Sequence, residues 1–227
     1  MRHALLFAAG LGERMRPLTG RTPKPLLPAG GKPLIAWHLE KLAAAGVRYV
    51  VINTSHLAEQ FPDTLGDGAR WGLRIRYAYE GPQPLETGGG MRNALPLLGA
   101  EPFLAISADI WSDYDYAALP AEPAGLAHLV MVPNPAWHAG GDFALGADGR
   151  LREDGPGQRL TFGNIGVYRP QLVRDEPPGR FKLLPCFQRA MREGLLHGER
   201  YDGRWHNVGT PRQLAELDAE LARRGAA

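Results

Sequence analysis

The chain has 227 residues, 44% hydrophobic and 22% charged, a length and balance that suit one large or two small soluble domains and argue against disorder or a membrane class. Lys and Arg number 26 against 24 Asp and Glu, a net charge of +2 that gives no overall field for holding nucleic acid. The single cysteine, Cys186, permits no internal disulfide and no cysteine-rich metal cluster; with no signal-like or membrane-length apolar run, a cytoplasmic protein is expected.

In chain order, Ala4 to Ala9 is an apolar run that ends in a glycine-rich turn, the pattern of a buried strand entering a loop. Pro33 opens a helical stretch through Ala45 that stops at Gly46, and Tyr49-Val50-Val51-Ile52 predicts a second strand because it is rich in β-branched residues. A helix over 56–65, an alternating strand over 73–79, a helix over 87–98 and a buried strand over 102–107 follow, the last ending at Asp109. Alternating strands and helices predict the α/β class, with a doubly wound, mainly parallel, Rossmann-like sheet.

Beyond Asp109 the rhythm changes. Strands over 127–132 and within 143–167, broken by Gly, Asp and Pro turns, predict an added C-terminal antiparallel layer. Amphipathic helices over 181–193 and 211–224 flank a short strand over 204–208. No linker and no repeat interrupts the chain, so it reads as a single domain with halves 1–115 and 116–227.

The loop after the first strand runs Ala8-Ala9-Gly10-Leu11-Gly12-Glu13-Arg14-Met15-Arg16, and Lys24 follows shortly. Small residues let backbone N–H groups approach phosphates, and Arg14, Arg16 and Lys24 supply the countercharge of a triphosphate. A dinucleotide fingerprint fails, because Met15 stands where a third small residue belongs and Asn53 where a ribose-binding acid belongs. A P-loop fails too, since the lone Gly-Lys pair, Gly31-Lys32, is followed by Pro33. Asp109, directly after a strand, suits a turn cap and a metal ligand equally well by position.

The stretch from Leu6 to Leu26, with Glu80 to Gly90, Asp109 to Asp115, Gly141-Asp142-Phe143 and Val208-Gly209-Thr210-Pro211, resembles the nucleoside-triphosphate:sugar-1-phosphate nucleotidyltransferases over nearly the whole chain. The resemblance implies transfer of UMP from UTP to N-acetylmuramate alpha-1-phosphate in peptidoglycan recycling. A guanylyltransferase acting on mannose 1-phosphate and a catalytically silent nucleotide-sugar sensor are the alternatives. It also implies small-molecule partners, a nucleoside triphosphate and a sugar 1-phosphate, and neither a nucleic acid nor a membrane partner.

By the same resemblance, Ala8, Ala9, Gly10 and Gly12 cradle the nucleotide, Arg14 and Lys24 meet the phosphates, and Asp109 holds magnesium. The family's second metal ligand is usually an Asp, where this chain has Asn207, whose amide oxygen still suits magnesium. Glu80 and the loop to Gly90, Gly88 included, fall in the base-reading region. A carboxylate at Glu80 suits uracil and guanine alike. Asp142, Asn164 and Lys182 are the expected sugar residues, with Lys182 the candidate partner for a lactyl carboxylate. Arg152-Glu153-Asp154-Gly155-Pro156 does not reproduce the family's Glu-Lys-Pro run.

Overall fold

The computed structural model describes residues 1–225. Strand β1 (His3–Phe7) lies between β4 (Tyr49–Thr54) and β6 (Phe103–Ser107), parallel to both, and β5 (Arg74–Tyr79) continues the parallel set beyond β4. Their side chains alternate between two cores. Leu6, Val50, Ile52 and Ile106 join one apolar cluster, while Leu5, Val51, Phe103 and Ala105 join the other. Burial on both faces is why these strands read as continuous apolar runs in the sequence.

On the first face pack α1 (Leu34–Ala44) and α2 (Gln60–Leu65), through Ile35, Leu39, Phe61 and Leu65. The other face is covered by α3 (Glu86–Leu98) and α4 (Leu184–Arg192), through Met91, Ala94, Phe187 and Ala190. A third cluster joins α5 (Pro211–Gly225), through Leu214, Leu217 and Leu221, to Met15, Trp111 and a small hairpin of β2 (Pro28–Ala29) and β3 (Lys32–Pro33).

The antiparallel half extends the same sheet edge to edge, where the sequence pattern suggested a layer laid over it. The long β11 (Gln158–Tyr168) pairs antiparallel with β6 at one end, and with β9 (Phe143–Leu145) at the other. It also pairs with β8 (Ala127–Val132), which binds β12 (Leu196–Arg200) in parallel, while β10 (Leu151–Arg152) closes the edge beside β9. Eleven residues let β11 span two partners in succession. A register shift between Phe162 and Gly166, with Asn164 in the left-handed region at φ 58°, bends it between them. A separate ribbon of β7 (Ile110–Ser112) and β13 (Trp205–Asn207) brings the C-terminal segment back to the end of β6.

Candidate functional site

Two adjoining cavities open at the carboxyl ends of β1 and β6, where doubly wound sheets bind ligands. The first, about 370 Å³, is lined by Ala8, Ala9, Gly10, Gly12, Lys24, Asn53, Glu80 and Asp109, with Glu86 and Arg180 at its side. The second, about 420 Å³, lies towards the antiparallel half and includes Asp142, Asn164 and Asn207. Phe7, Thr87 and Ser107 line both, so the cavities meet over the ends of the two central strands.

The first loop is held open by its glycines. Nothing lies within 4 Å of where a Cβ on Gly10 would stand, which leaves its backbone bare to the cavity. Gly12 turns the chain at φ 63°, and a Cβ there would come within 2.8 Å of Thr19 Cγ2. Thr19 Oγ1 locks the turn by donating to the Gly12 carbonyl at 2.8 Å. Asn53 Oδ1 accepts the Ala8 N–H at 2.6 Å, and Asn53 Nδ2 donates to Glu80 Oε1 at 2.6 Å. The residue that disqualified a dinucleotide site thus anchors the loop.

Glu80 Oε2 accepts the Leu85 N–H at 2.7 Å. Burial raises the Glu80 carboxyl above its ordinary range, opposed by the hydrogen bonds from Leu85 and Asn53. Both oxygens already serve the protein, so Glu80 shapes the 80–85 loop as well as facing the cavity. Gly88 has a different place from the one expected of it. It is absent from the cavity lining, its N–H donates to the Phe181 carbonyl at 3.0 Å, and a Cβ there would overlap the Phe181 ring.

Lys24 Nζ lies 2.5 Å from Asp109 Oδ2, their side chains 13% and 34% exposed. The cation expected at the phosphates and the carboxylate expected at the metal are therefore partners of each other. Arg14 is exposed and outside both cavity walls. Its guanidinium rests at the closing loop, 3.3 Å from where a Gly209 Cβ would be. That loop is fixed to the end of β6 by Val208, whose N–H donates to the Asp109 carbonyl at 2.9 Å.

In the second cavity, Asp142 Oδ2 accepts the Phe162 N–H at 2.8 Å and Oδ1 lies 3.0 Å from His138 Nε2. Trp205 Nε1 donates to the Gly163 carbonyl at 2.8 Å, tying β13 to the bend of β11. Lys182 is not in this cavity. It is exposed and lines a separate groove with Glu176, Cys186 and Arg189, so it does not stand where the sugar was expected. Arg180, two residues earlier, reaches the first cavity and pairs with Glu86 at 2.8 Å.

Residues 3–131 match the nucleotidyl transferase family. An N-acetylmuramate alpha-1-phosphate uridylyltransferase of Neisseria meningitidis serogroup B is 44% identical over 223 residues, covering 95% of this chain and 96% of that one. A protein of the same name from Caulobacter vibrioides is 36% identical, with 96% of each chain covered. A crystal structure of a Bacillus anthracis protein bound to sucrose superposes with a TM-score of 0.83 at 19% identity, over 98% of this chain and 96% of that one, a likeness of fold. The chain belongs to the nucleotidyl transferase family.

For a nucleotidyl transferase, the donor set at the junction of the cavities bears on the metal. Asn207 pairs with Ile110 across the β7–β13 ribbon, next to Asp109 along the chain, so one carboxylate and one amide oxygen come from neighbouring backbone positions. Among the described residues there is no group of three or more His, Cys, Asp or Glu that would hold a metal. One or two hard oxygen donors with open space beside them suit magnesium, which keeps waters and substrate phosphates as its other ligands. His206 faces away from this role, its Nε2 3.1 Å from Glu220 Oε2 on α5.

Sequence reasoning missed Asn53, Ser107, His138 and Arg180 as cavity residues, while Thr87 lies in the loop it assigned to the base. Asn53 and Ser107 were within reach of it, since both stand at or beside the carboxyl end of a correctly placed strand.

Proposed function

We propose that the chain transfers UMP from UTP to N-acetylmuramate alpha-1-phosphate, releasing pyrophosphate and forming UDP-N-acetylmuramate. The observation that carries this reading is the near full-length 44% identity to a uridylyltransferase of that acceptor, on a fold whose two cavities meet end to end. In our reading the whole chain is one nucleotidyltransferase domain. The 1–115 half takes the nucleotide and the 116–227 half takes the sugar, consistent with the elements that line each cavity. Magnesium is the proposed cofactor, peptidoglycan recycling in the cytoplasm the proposed setting, and the two small-molecule substrates the proposed partners.

An oxygen of the sugar phosphate attacks the α-phosphorus as the bond from that phosphorus to the β-phosphate oxygen breaks. The nucleophile is already an anion, so no general base is needed. Backbone N–H groups of Ala9 and Gly10 serve the donor phosphates, the Ala8 N–H being held by Asn53. Lys24 gives its charge to the phosphoryl group in transfer, and Arg14 meets the departing pyrophosphate once the closing loop and first loop are held together. Asp109 and Asn207 would hold magnesium, which when bound would neutralise charge on the phosphate oxygens. Thr87 and Ser107, shared by the two cavities, border the path between the reacting phosphates.

Glu80 accepts from Asn53 and Leu85 and would be offered a ring N–H by uracil and guanine alike, so the choice of base rests on the relatives. The test is pyrophosphate release from a panel of four nucleoside triphosphates against N-acetylmuramate 1-phosphate and mannose 1-phosphate. The UTP and muramate pair should have the highest kcat/KM; a preference for GTP with mannose 1-phosphate replaces this reading.

A further inference from the structure

The second cavity is walled by aromatic rings, among them Trp137, Phe143, Phe162, Phe187 and Trp205. Among the described residues, no Lys or Arg lines it. His138 and Asp142 are the acid–base side chains of its lining. An acceptor that brings a second negative group besides its phosphate must find a donor there, because an unpaired buried carboxylate is costly. Asp142 is no donor, and both its oxygens already accept, from Phe162 N–H and from His138. The indole N–H of Trp205 is spent on Gly163, and Thr161 Oγ1 donates to Asn134 Oδ1 at 2.9 Å.

Ser107 and Asn164 also line the cavity but are neutral donors, whereas His138 can offer a charged one. A carboxylate only accepts hydrogen bonds, so Nε2 carries a proton towards Asp142, which leaves Nδ1 as the ring nitrogen available to a ligand. Its ring is further set by stacking on Trp137, with centroids 5.9 Å apart at 25°, and Trp137 stacks in turn on Trp205 at 6.4 Å. With Nδ1 protonated, His138 is a cation in a fixed orientation at a wall it shares with aromatic rings and with neutral polar side chains such as Ser107 and Asn164. Such a contact to a carboxylate is charge-assisted.

We propose that His138, held by Asp142 and Trp137, is the residue that recognises the carboxylate of the acceptor sugar and so sets acceptor specificity. This rests on the proposed acceptor, whose lactyl ether carries that carboxylate; the aromatic wall takes the apolar methyl groups beside it.

The experiment compares N-acetylmuramate 1-phosphate with N-acetylglucosamine 1-phosphate, the same sugar without the lactyl ether, in wild type, His138→Ala and His138→Gln. UTP binding measured by calorimetry reports that each variant is folded. Both variants should lose about 10- to 100-fold in kcat/KM for the muramate substrate, chiefly through KM, the scale of one charge-assisted hydrogen bond. With the glucosamine substrate the change should stay within about threefold. An equal loss for both acceptors assigns His138 a purely structural role and overturns the proposal, as does no loss for either. A wild-type enzyme that turns over the glucosamine substrate but ignores N-acetylmuramate 1-phosphate overturns the functional reading itself, a result distinguishable because it precedes any substitution.

Discussion

The contact between Lys24 and Asp109 makes a quantitative claim about what Lys24 does. At 2.5 Å and an effective dielectric constant of ~20, the gross attraction is about 6 to 7 kcal/mol. Desolvation of both groups and the one-third exposure of the Asp109 side chain return most of this, leaving about 1.5 to 3 kcal/mol, the net scale of a hydrogen bond to a charged group. In Lys24→Met, two opposite effects follow. Asp109 loses a competing cation, so divalent-ion binding to the free enzyme should tighten, by up to about tenfold if ~1.4 kcal/mol of the net interaction is recovered. Turnover should nonetheless fall by about 100- to 1,000-fold, because the charge that grows on the transferring phosphoryl group has lost its fixed partner. Manganese titration followed by electron paramagnetic resonance measures the first effect without any reaction, and steady-state kinetics measures the second. Wild-type kcat in Lys24→Met refutes the catalytic reasoning. Weaker metal binding in the variant refutes the electrostatic reasoning, since it means that Lys24 positions Asp109 for the ion.

Other expectations follow from the same geometry. Asp109→Asn should abolish metal-dependent turnover while Asn207→Asp retains it and tightens magnesium, an added carboxylate strengthening a hard-cation site; activity against magnesium concentration measures both. His38 is buried, with Nε2 donating to the Ile110 carbonyl at 2.8 Å and Nδ1 accepting from Tyr116 Oη at 2.7 Å, and burial pushes its pKa down to about 4. The unfolded chain takes up this proton near pH ~6.5 while the folded chain refuses it, so stability contributed by His38 is complete above that pH and falls as pH drops towards 4, by about 3 kcal/mol in all. Denaturant melts of wild type and His38→Asn at pH 7 and pH 5 should show the steeper loss in wild type; parallel losses remove His38 as the cause.

The parallel half was legible because its strands are buried on both faces, so Leu5 and Leu6 are apolar for different reasons yet read as one run. The first cavity was legible for a related reason: Ala8, Gly10 and Asp109 lie within three residues of the carboxyl ends of β1 and β6, and topology alone brings strand ends together. Side-chain direction outside regular elements was not. The amphipathic pattern suggested a helix from Phe181, whereas α4 begins at Leu184. Over the intervening residues no period relates one side chain to the next: Arg180 lines both the first cavity and the neighbouring groove, whereas Lys182 lines the groove alone. His138 was equally hidden, since its partner Asp142 is four residues away in a turn whose shape depends on β11.

The run Gly88-Gly89-Gly90 marks the largest gap between pattern and structure, and its physical meaning can be tested. The glycines were expected to bring backbone close to a base; instead they open one face of α3 to a crossing segment. Gly88 and Gly89 N–H both donate to the Phe181 carbonyl at 3.0 Å, and the Phe181 N–H returns to the Leu85 carbonyl at 3.1 Å. A Cβ on Gly89 would overlap the Gly179 carbonyl oxygen, and one on Gly90 would overlap Glu80 Oε1 and lie 2.7 Å from Asn53 Nδ2. Residues 179–183 thus form a strap that presents Arg180 to the first cavity and Leu183 to the second. Gly89→Ala must push the strap off α3, costing about 1 to 3 kcal/mol of stability by overpacking. Because one segment serves both cavities, KM for the nucleotide and KM for the sugar phosphate should rise together. Gly20→Ala, where a Cβ meets nothing within 4 Å, is the control and should leave both unchanged. A Gly89→Ala enzyme with a lowered melting temperature but both KM values intact would show that the strap only packs the helix, and that the two cavities are independent of it.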